Sequence, residues 1–114
     1  MELREMYEIC GGDLDKVMAR LQSEVLVRKL LGMFLGDQSF ATLDAAMAEQ
    51  DTEKAFRAAH TLKGMTGDLG LENLYKATSA LTEALRHEGN GDPNLLYQDV
   101  KESYEIAVNA IKQI

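Results

Sequence analysis

Apolar residues recur along this chain with the spacing of helices. They stand three and four residues apart, no segment alternates like a β-strand, and proline occurs once. Residues that favour helices, such as Ala, Leu, Glu and Lys, dominate the remaining positions. The pattern therefore predicts an all-α protein.

Capping residues divide the pattern into separate helices. The expected helices begin at Asp13, Ser23, Asp37, Asp51, Leu71 and Asp92. Gly70 predicts the end of the fourth helix at Leu69, and the fifth should reach about Glu88, before the loop Gly89-Asn90-Gly91. Residues 1–10 add an amphipathic turn or two through Leu3, Met6 and Tyr7.

Long helices joined by short loops imply antiparallel neighbours. We therefore expect an antiparallel up-down four-helix bundle in residues 37–114, with shorter N-terminal helices in residues 1–36 packed on it. A chain of 114 residues fits one domain, 1–114. The start at Met1 and the helix running to Ile114 favour a stand-alone protein.

Composition and charge narrow the function classes. The net charge of −7, with basic residues scattered among acids, argues against nucleic acid and against an anionic membrane surface as partners. There is no apolar run of the roughly 20 residues that cross a bilayer, no signal peptide, and a single cysteine, Cys10, which we expect to be inert and partly buried. These features predict a cytoplasmic location and a protein partner.

The fourth helix carries the candidate chemistry. At about 100° per residue, one of its faces is apolar and predicted to be buried; its residues are Ala55, Ala58, Ala59, Leu62, Thr66 and Leu69. His60, Lys63, Gly64 and Gly67 cluster on a second face roughly 120–140° away. The histidine is therefore expected to point to solvent.

This second face is unusual for an ordinary helix surface. A glycine inside a helix costs about 1 kcal/mol relative to alanine, and two lie here on one side. Bare backbone beside an exposed imidazole permits close approach of another protein, and Lys63 lies one turn from His60. Neutral imidazole is a good nucleophile near pH 7, so the face suits transfer of an anionic group such as phosphoryl. No Mg²⁺ site faces His60, so a partner would supply the metal ion and the acceptor carboxylate.

Ala59-His60-Thr61-Leu62-Lys63-Gly64, followed by Leu69-Gly70, resembles the phosphorylation-site helix of histidine phosphotransfer (HPt) domains. The resemblance implies that His60 is phosphorylated, that Lys63 stabilises phosphoryl charge and that Gly64 gives clearance. It also implies a four-helix bundle, phosphoryl exchange with receiver-domain aspartates and a sensor or hybrid kinase as the source. We expect a monomer without a cofactor or metal ion of its own, since Mg²⁺ would belong to the receiver.

Some details depart from the family pattern. Met65 and Thr66 follow Gly64 where many members have Ser or Ala, and we expect Met65 to pack at the edge of the core. Some members orient the imidazole with a glutamine on the next helix, where this chain offers Thr78, Ser79 and Thr82. Which of them orients His60, if any, stays open.

The remaining site assignments are expectations about surfaces. Gly67, Phe56 and Tyr75 are expected to contact the partner, although the glycines would also permit close helix packing. His87, near the expected end of the fifth helix, is interpreted as structural surface. Phe34, Phe40 and the methionines are expected in the core, with a receiver-docking surface as the alternative.

Two other functions remain open at this stage. One is a docking module of the same fold that binds a receiver or kinase without accepting phosphate. The other is a small phosphohydrolase that uses His60 as its nucleophile. The sequence shows no second acid–base group beside His60 and no water-excluding pocket. Both absences disfavour the enzyme.

Overall fold

The computed structural model describes all residues from Met1 to Ile114. It contains seven helices and no strand: α1 Leu3–Ile9, α2 Leu14–Leu21, α3 Glu24–Leu35, α4 Ser39–Ala48, α5 Thr52–Leu69, α6 Glu72–Ala84 and α7 Pro93–Ile111. The all-α prediction is confirmed. None of the seven helices combines the length and the apolar character needed to cross a bilayer.

The helix starts follow the predicted capping residues closely. Four side chains accept hydrogen bonds from backbone N–H groups of the first turn that follows them: Asp13, Ser23, Asp51 and Asp92. Each satisfies donors that the helix itself leaves without partners. One start moves by two residues: α4 begins at Ser39, and the carboxylate of Asp37 accepts the Ser39 N–H at 2.7 Å from outside the helix.

The end of α6 lies earlier than the sequence predicted. The helix was expected to reach Glu88, but it ends at Ala84. Glu88 has a positive φ of 60°, and a Cβ on Gly89 would collide with the carbonyl oxygen of Glu83. The chain therefore folds back over the helix end, where glycine fits and a side chain does not. Arg86 lies in this turn rather than on a continuing helix.

The four C-terminal helices form the bundle. Helices α4, α5, α6 and α7 pack each on the next in chain order. Side chains of α4 and α7 also meet: the rings of Phe40 and Tyr104 stack with centroids 3.9 Å apart, and the Tyr97 hydroxyl donates to the carboxylate of Asp44. The predicted up-down four-helix bundle is therefore confirmed.

One hydrophobic core joins the bundle to the N-terminal helices, because α3 contacts both α5 and α7. Helix α7 contributes a buried side to this core, which consists of Tyr97, Val100, Ala107, Ala110 and Ile111. The assignment of one domain, with a division near residue 36, stays a prediction.

Helices α1 and α2 cover the bundle end at which α5 finishes. Leu3, Met6 and Tyr7 of α1 are buried, as the amphipathic pattern suggested. The Tyr7 hydroxyl donates to the carbonyl oxygen of Leu69 at 2.7 Å, and the Asn73 N–H donates to the carbonyl oxygen of Cys10 at 3.1 Å. The N-terminal segment is thereby fixed to the turn between α5 and α6.

Candidate functional site

Helix α5 presents the two faces that its sequence predicts. Its buried residues are Ala55, Ala58, Ala59, Leu62, Thr66 and Leu69, the same six that the pattern indicated. His60 is exposed on the other side. The imidazole therefore points outward, because rotation along an ideal helix places it away from the core.

The end of α5 is fixed by a double hydrogen bond. Gly70 has a positive φ of 71°, its N–H donates to the Gly67 carbonyl at 3.2 Å, and the Leu71 N–H donates to the Thr66 carbonyl at 3.0 Å. This is the Schellman arrangement that glycine permits at a helix end. It reverses the chain within two residues, so α6 returns beside the exposed face of α5.

An open cleft of about 510 Å³ lies between these two helices. Its lining residues are His60, Lys63, Gly64, Gly67, Asp68, Glu72 and Tyr75. Asp68 stands eight residues after His60, about 12 Å along the helix axis, and Glu72 begins α6 at that same end. The acidic groups are thus separated from the imidazole, while Lys63 is its near neighbour in sequence.

The two glycines of this face have different surroundings. A Cβ on Gly64 would meet nothing within 4 Å beyond the backbone of its own helix. A Cβ on Gly67 would instead lie 3.0 Å from Cε1 of Tyr75. Close packing with α6 accounts for Gly67, whereas nothing inside the protein requires glycine at position 64. A partner contact by Gly67 stays a prediction.

Lys63 is a half-buried cation without a carboxylate partner. Asp68, which lines the cleft, is paired with Arg20 instead: its carboxylate lies 3.8 Å from the guanidinium, and its carbonyl oxygen also accepts from Arg20. An unpaired ammonium keeps its full attraction for an incoming anion. Lys63 is therefore free to meet negative charge that arrives at His60.

The hydroxyls of α6 do not orient the imidazole. Those of Thr78 and Thr82 donate within their own helix, to the carbonyls of Leu74 and Thr78, each at 2.7 Å. Ser79 Oγ is buried and has no hydrogen-bond partner at all. The imidazole of His60 makes no hydrogen bond, and its neighbour is an aromatic ring: the centroids of Phe56 and His60 lie 6.0 Å apart with the planes inclined by 15°. Sequence reasoning named Phe56 only as a partner contact.

Three other residues singled out from the sequence lie away from the cleft. Met65 is half-buried and packs at the edge of the core, as predicted. His87 is exposed in the turn after α6. Cys10 is buried more fully than predicted, with 4% of its surface exposed, and burial raises the pKa of its thiol to about 11.

The family model of the Hpt domain matches residues 29–113, which include the whole exposed face of α5. The chain belongs to the Hpt domain family. Hpt domains are phosphocarrier modules of two-component phosphorelays, in which they interact with receiver domains and kinases. No curated protein and no solved structure matches the chain. In this Hpt domain, α1, α2 and the start of α3 precede the matched segment.

Proposed function

We propose that this Hpt domain relays a phosphoryl group on His60 between the receiver domain of a sensor or hybrid kinase and the aspartate of a response regulator. The observation that carries the proposal is the exposed imidazole of His60 beside the unpaired Lys63 and the bare backbone of Gly64. Membership in the Hpt family supports the same reading.

The transfer step exchanges one bond for another. The lone pair of a neutral imidazole nitrogen attacks the phosphorus of the receiver's phosphoaspartate, and an N–P bond forms. The P–O bond to the aspartyl carboxylate breaks, and the carboxylate leaves with the electron pair. The proton on the other ring nitrogen stays there during the step. Delivery to the next aspartate is the reverse reaction, so the domain ends the cycle unchanged.

Positioning and charge carry most of the catalysis of such a step. Lys63 attracts the phosphoryl oxygens from one turn away, at a point where no carboxylate neutralises it. Gly64 leaves room for the phosphoryl group and the receiver loop beside the ring. The Mg²⁺ ion and the acceptor carboxylate belong to the receiver.

An open face suits a carrier that meets more than one partner. Water is excluded only when a receiver closes over the imidazole, so the cleft of the free domain does not need to be deep. Phe56, Gly67 and Tyr75 border this face and are proposed to contact the partner. A monomer in the cytoplasm, without a metal ion or cofactor of its own, fits this role and stays a prediction.

The test is transfer from a phosphorylated receiver. Incubating the domain with a receiver that carries labelled phosphoaspartate should give an acid-labile, base-stable adduct on the domain. His60→Gln should abolish the adduct, and His87→Gln is the matched control because it removes the other, exposed histidine. An adduct that persists in His60→Gln contradicts the assignment of the site. Receiver binding by wild type without any adduct would instead support a docking module.

A further inference from the structure

The imidazole of His60 lies against one aromatic ring. The plane of Phe56 is inclined to it by only 15°, and their centroids are 6.0 Å apart, within the range at which aromatic rings attract each other. Phe56 is half-buried and stands four residues before His60 on α5. The contact is thus part of the helix that carries the nucleophile.

Helix geometry makes this contact directional. Side chains on a helix lean toward its N-terminus, so the ring at position 60 lies over the residue four positions earlier. By the same rule, a side chain at position 64 would lean over His60, and Gly64 has none. The imidazole is therefore supported by Phe56 on its N-terminal side and left open on its C-terminal side.

The ring of Phe56 is itself contacted from the turn that follows α6. The guanidinium of Arg86 lies 5.1 Å from the centroid of Phe56, close enough for a cation–π interaction. Glu83 accepts a hydrogen bond from Arg86 Nε at 3.0 Å in an exposed ion pair, which favours this direction of the guanidinium. This arrangement depends on the early end of α6, which places Arg86 in the turn over Phe56.

No polar group competes for the orientation of the imidazole. The hydroxyls of Thr78 and Thr82 are used within α6, and Ser79 Oγ is without a partner. An exposed histidine without any hydrogen bond would sample several rotamers, and each lost orientation reduces the fraction of encounters with in-line geometry. The ring contact is the restraint that the side-chain packing provides.

We propose that Phe56, held by Arg86, is a positioning residue that keeps the imidazole of His60 in the orientation from which it attacks phosphorus. The proposal rests on the proposed function, because it concerns the geometry of the same transfer. It assigns Phe56 a role in the rate of the chemical step, separate from any contact with the partner.

The geometry can be tested without any transfer. In nuclear magnetic resonance spectra of the full chain, His60 is identified by its loss in His60→Gln and its retention in His87→Gln. Wild type should show Overhauser contacts between the ring protons of Phe56 and His60. The carbon-bound proton shifts of His60 should change in Phe56→Leu and return toward wild type in Phe56→Tyr. Absence of the ring contact in folded wild type overturns the proposal whether or not the domain accepts phosphate.

The kinetic role is tested by the concentration dependence of transfer. With phosphorylated receiver in increasing excess, Phe56→Leu should lower the maximal transfer rate about tenfold, in addition to any change in the half-saturating concentration that a lost partner contact causes. Phe56→Tyr should restore the rate because it keeps the ring. A wild-type maximal rate in Phe56→Leu overturns the proposal, and so does a defect confined to half-saturation, which would make Phe56 a docking residue. If wild type accepts no phosphate, the proposed function fails instead.

Discussion

Gly67 and Tyr75 pack directly against each other across the α5–α6 pair, since a Cβ at position 67 would lie 3.0 Å from Cε1 of the tyrosine ring. Gly64, one turn earlier on α5, has no such neighbour. The two glycines look equivalent in the sequence, but they serve different purposes in the structure. Gly67 permits α5 and α6 to approach each other, and Gly64 leaves the outer surface of α5 bare.

Alanine substitutions at positions 64 and 67 should distinguish an open surface from close helix packing. Gly64→Ala should raise the free energy of unfolding by up to about 1 kcal/mol, because it removes the helix cost of glycine without creating a clash. Gly67→Ala should gain less or lose stability, since the Tyr75 ring must move. Urea unfolding of both variants measures the difference. Equal gains would show that the ring of Tyr75 does not constrain position 67.

A long side chain at position 64 should block transfer without unfolding the domain. Gly64→Gln places its side chain over His60, in the space that a phosphoryl group needs. The matched control is Gly32→Gln on α3, where a Cβ also meets nothing within 4 Å. Adduct formation should be lost only in Gly64→Gln, while both variants keep a cooperative unfolding transition. Normal transfer by Gly64→Gln would show that Gly64 is not needed to leave room for the phosphoryl group beside His60.

Lys63 should contribute to the rate through its charge. Lys63→Ala is expected to slow transfer about a hundredfold, the lower end of the effect of removing one group that stabilises developing negative charge. Lys63→Arg should keep most of the rate. Lys54→Ala removes an exposed lysine from the first turn of the same helix and serves as the control. The transfer rates are measured at low and at high salt. Equal slowing by Lys63→Ala and Lys54→Ala would contradict a specific role of Lys63.

The sequence contained most of what positions His60, because the signals are local. Capping residues satisfy donors within one turn, and the buried face of α5 follows from rotation along a single helix. These two facts place the imidazole outward before any tertiary contact is known. The order of α4 to α7 follows from short connections between long helices.

The sequence did not contain the contacts between helices. The packing of Tyr75 on Gly67 and of Arg86 on Phe56 depends on the register of α6 against α5, which no local pattern fixes. The early end of α6 was missed because the residues up to Glu88 favour helix, whereas the fold-back at Gly89 depends on tertiary context. The Phe56–His60 contact is visible in the sequence as an aromatic residue four positions before the histidine. From the sequence alone, only a partner contact is predicted for Phe56.

The contact between Tyr7 and Leu69 should stabilise the domain. The Tyr7 hydroxyl is buried and donates to the last carbonyl of α5, so Tyr7→Phe leaves that acceptor without a partner. A loss of about 1–2 kcal/mol is expected from such a buried group. Urea unfolding measures it, and the yield of the phosphorylated adduct should stay at the wild-type level. Unchanged stability would mean that water replaces the lost donor.

The stability of the domain should fall at alkaline pH, and the buried thiol of Cys10 supplies part of the reason. Burial raises the pKa of Cys10 to about 11, and burial is also the main cause that raises the pKa of Tyr7 to about 12. In the unfolded chain a thiol titrates near 8.5 and a phenol near 10. Above about pH 8.5 the unfolded state therefore releases protons that the folded state retains, and the free energy of unfolding decreases with pH.

The contribution of Cys10 should be complete below about pH 8.5 and disappear as the pH rises through 11. Urea unfolding of wild type and Cys10→Ala from pH 7 to pH 11 measures it: the free energy of wild type should fall more steeply, although the variant starts lower because of its cavity. Parallel curves would show that Cys10 titrates alike in the folded and unfolded states.

Thiol reagents give an independent check of the burial of Cys10, since at pH 8 a thiol of pKa 11 holds only about one part in a thousand as thiolate. Rapid labelling of the folded domain would contradict the burial of Cys10, whereas labelling that appears only in urea would support it.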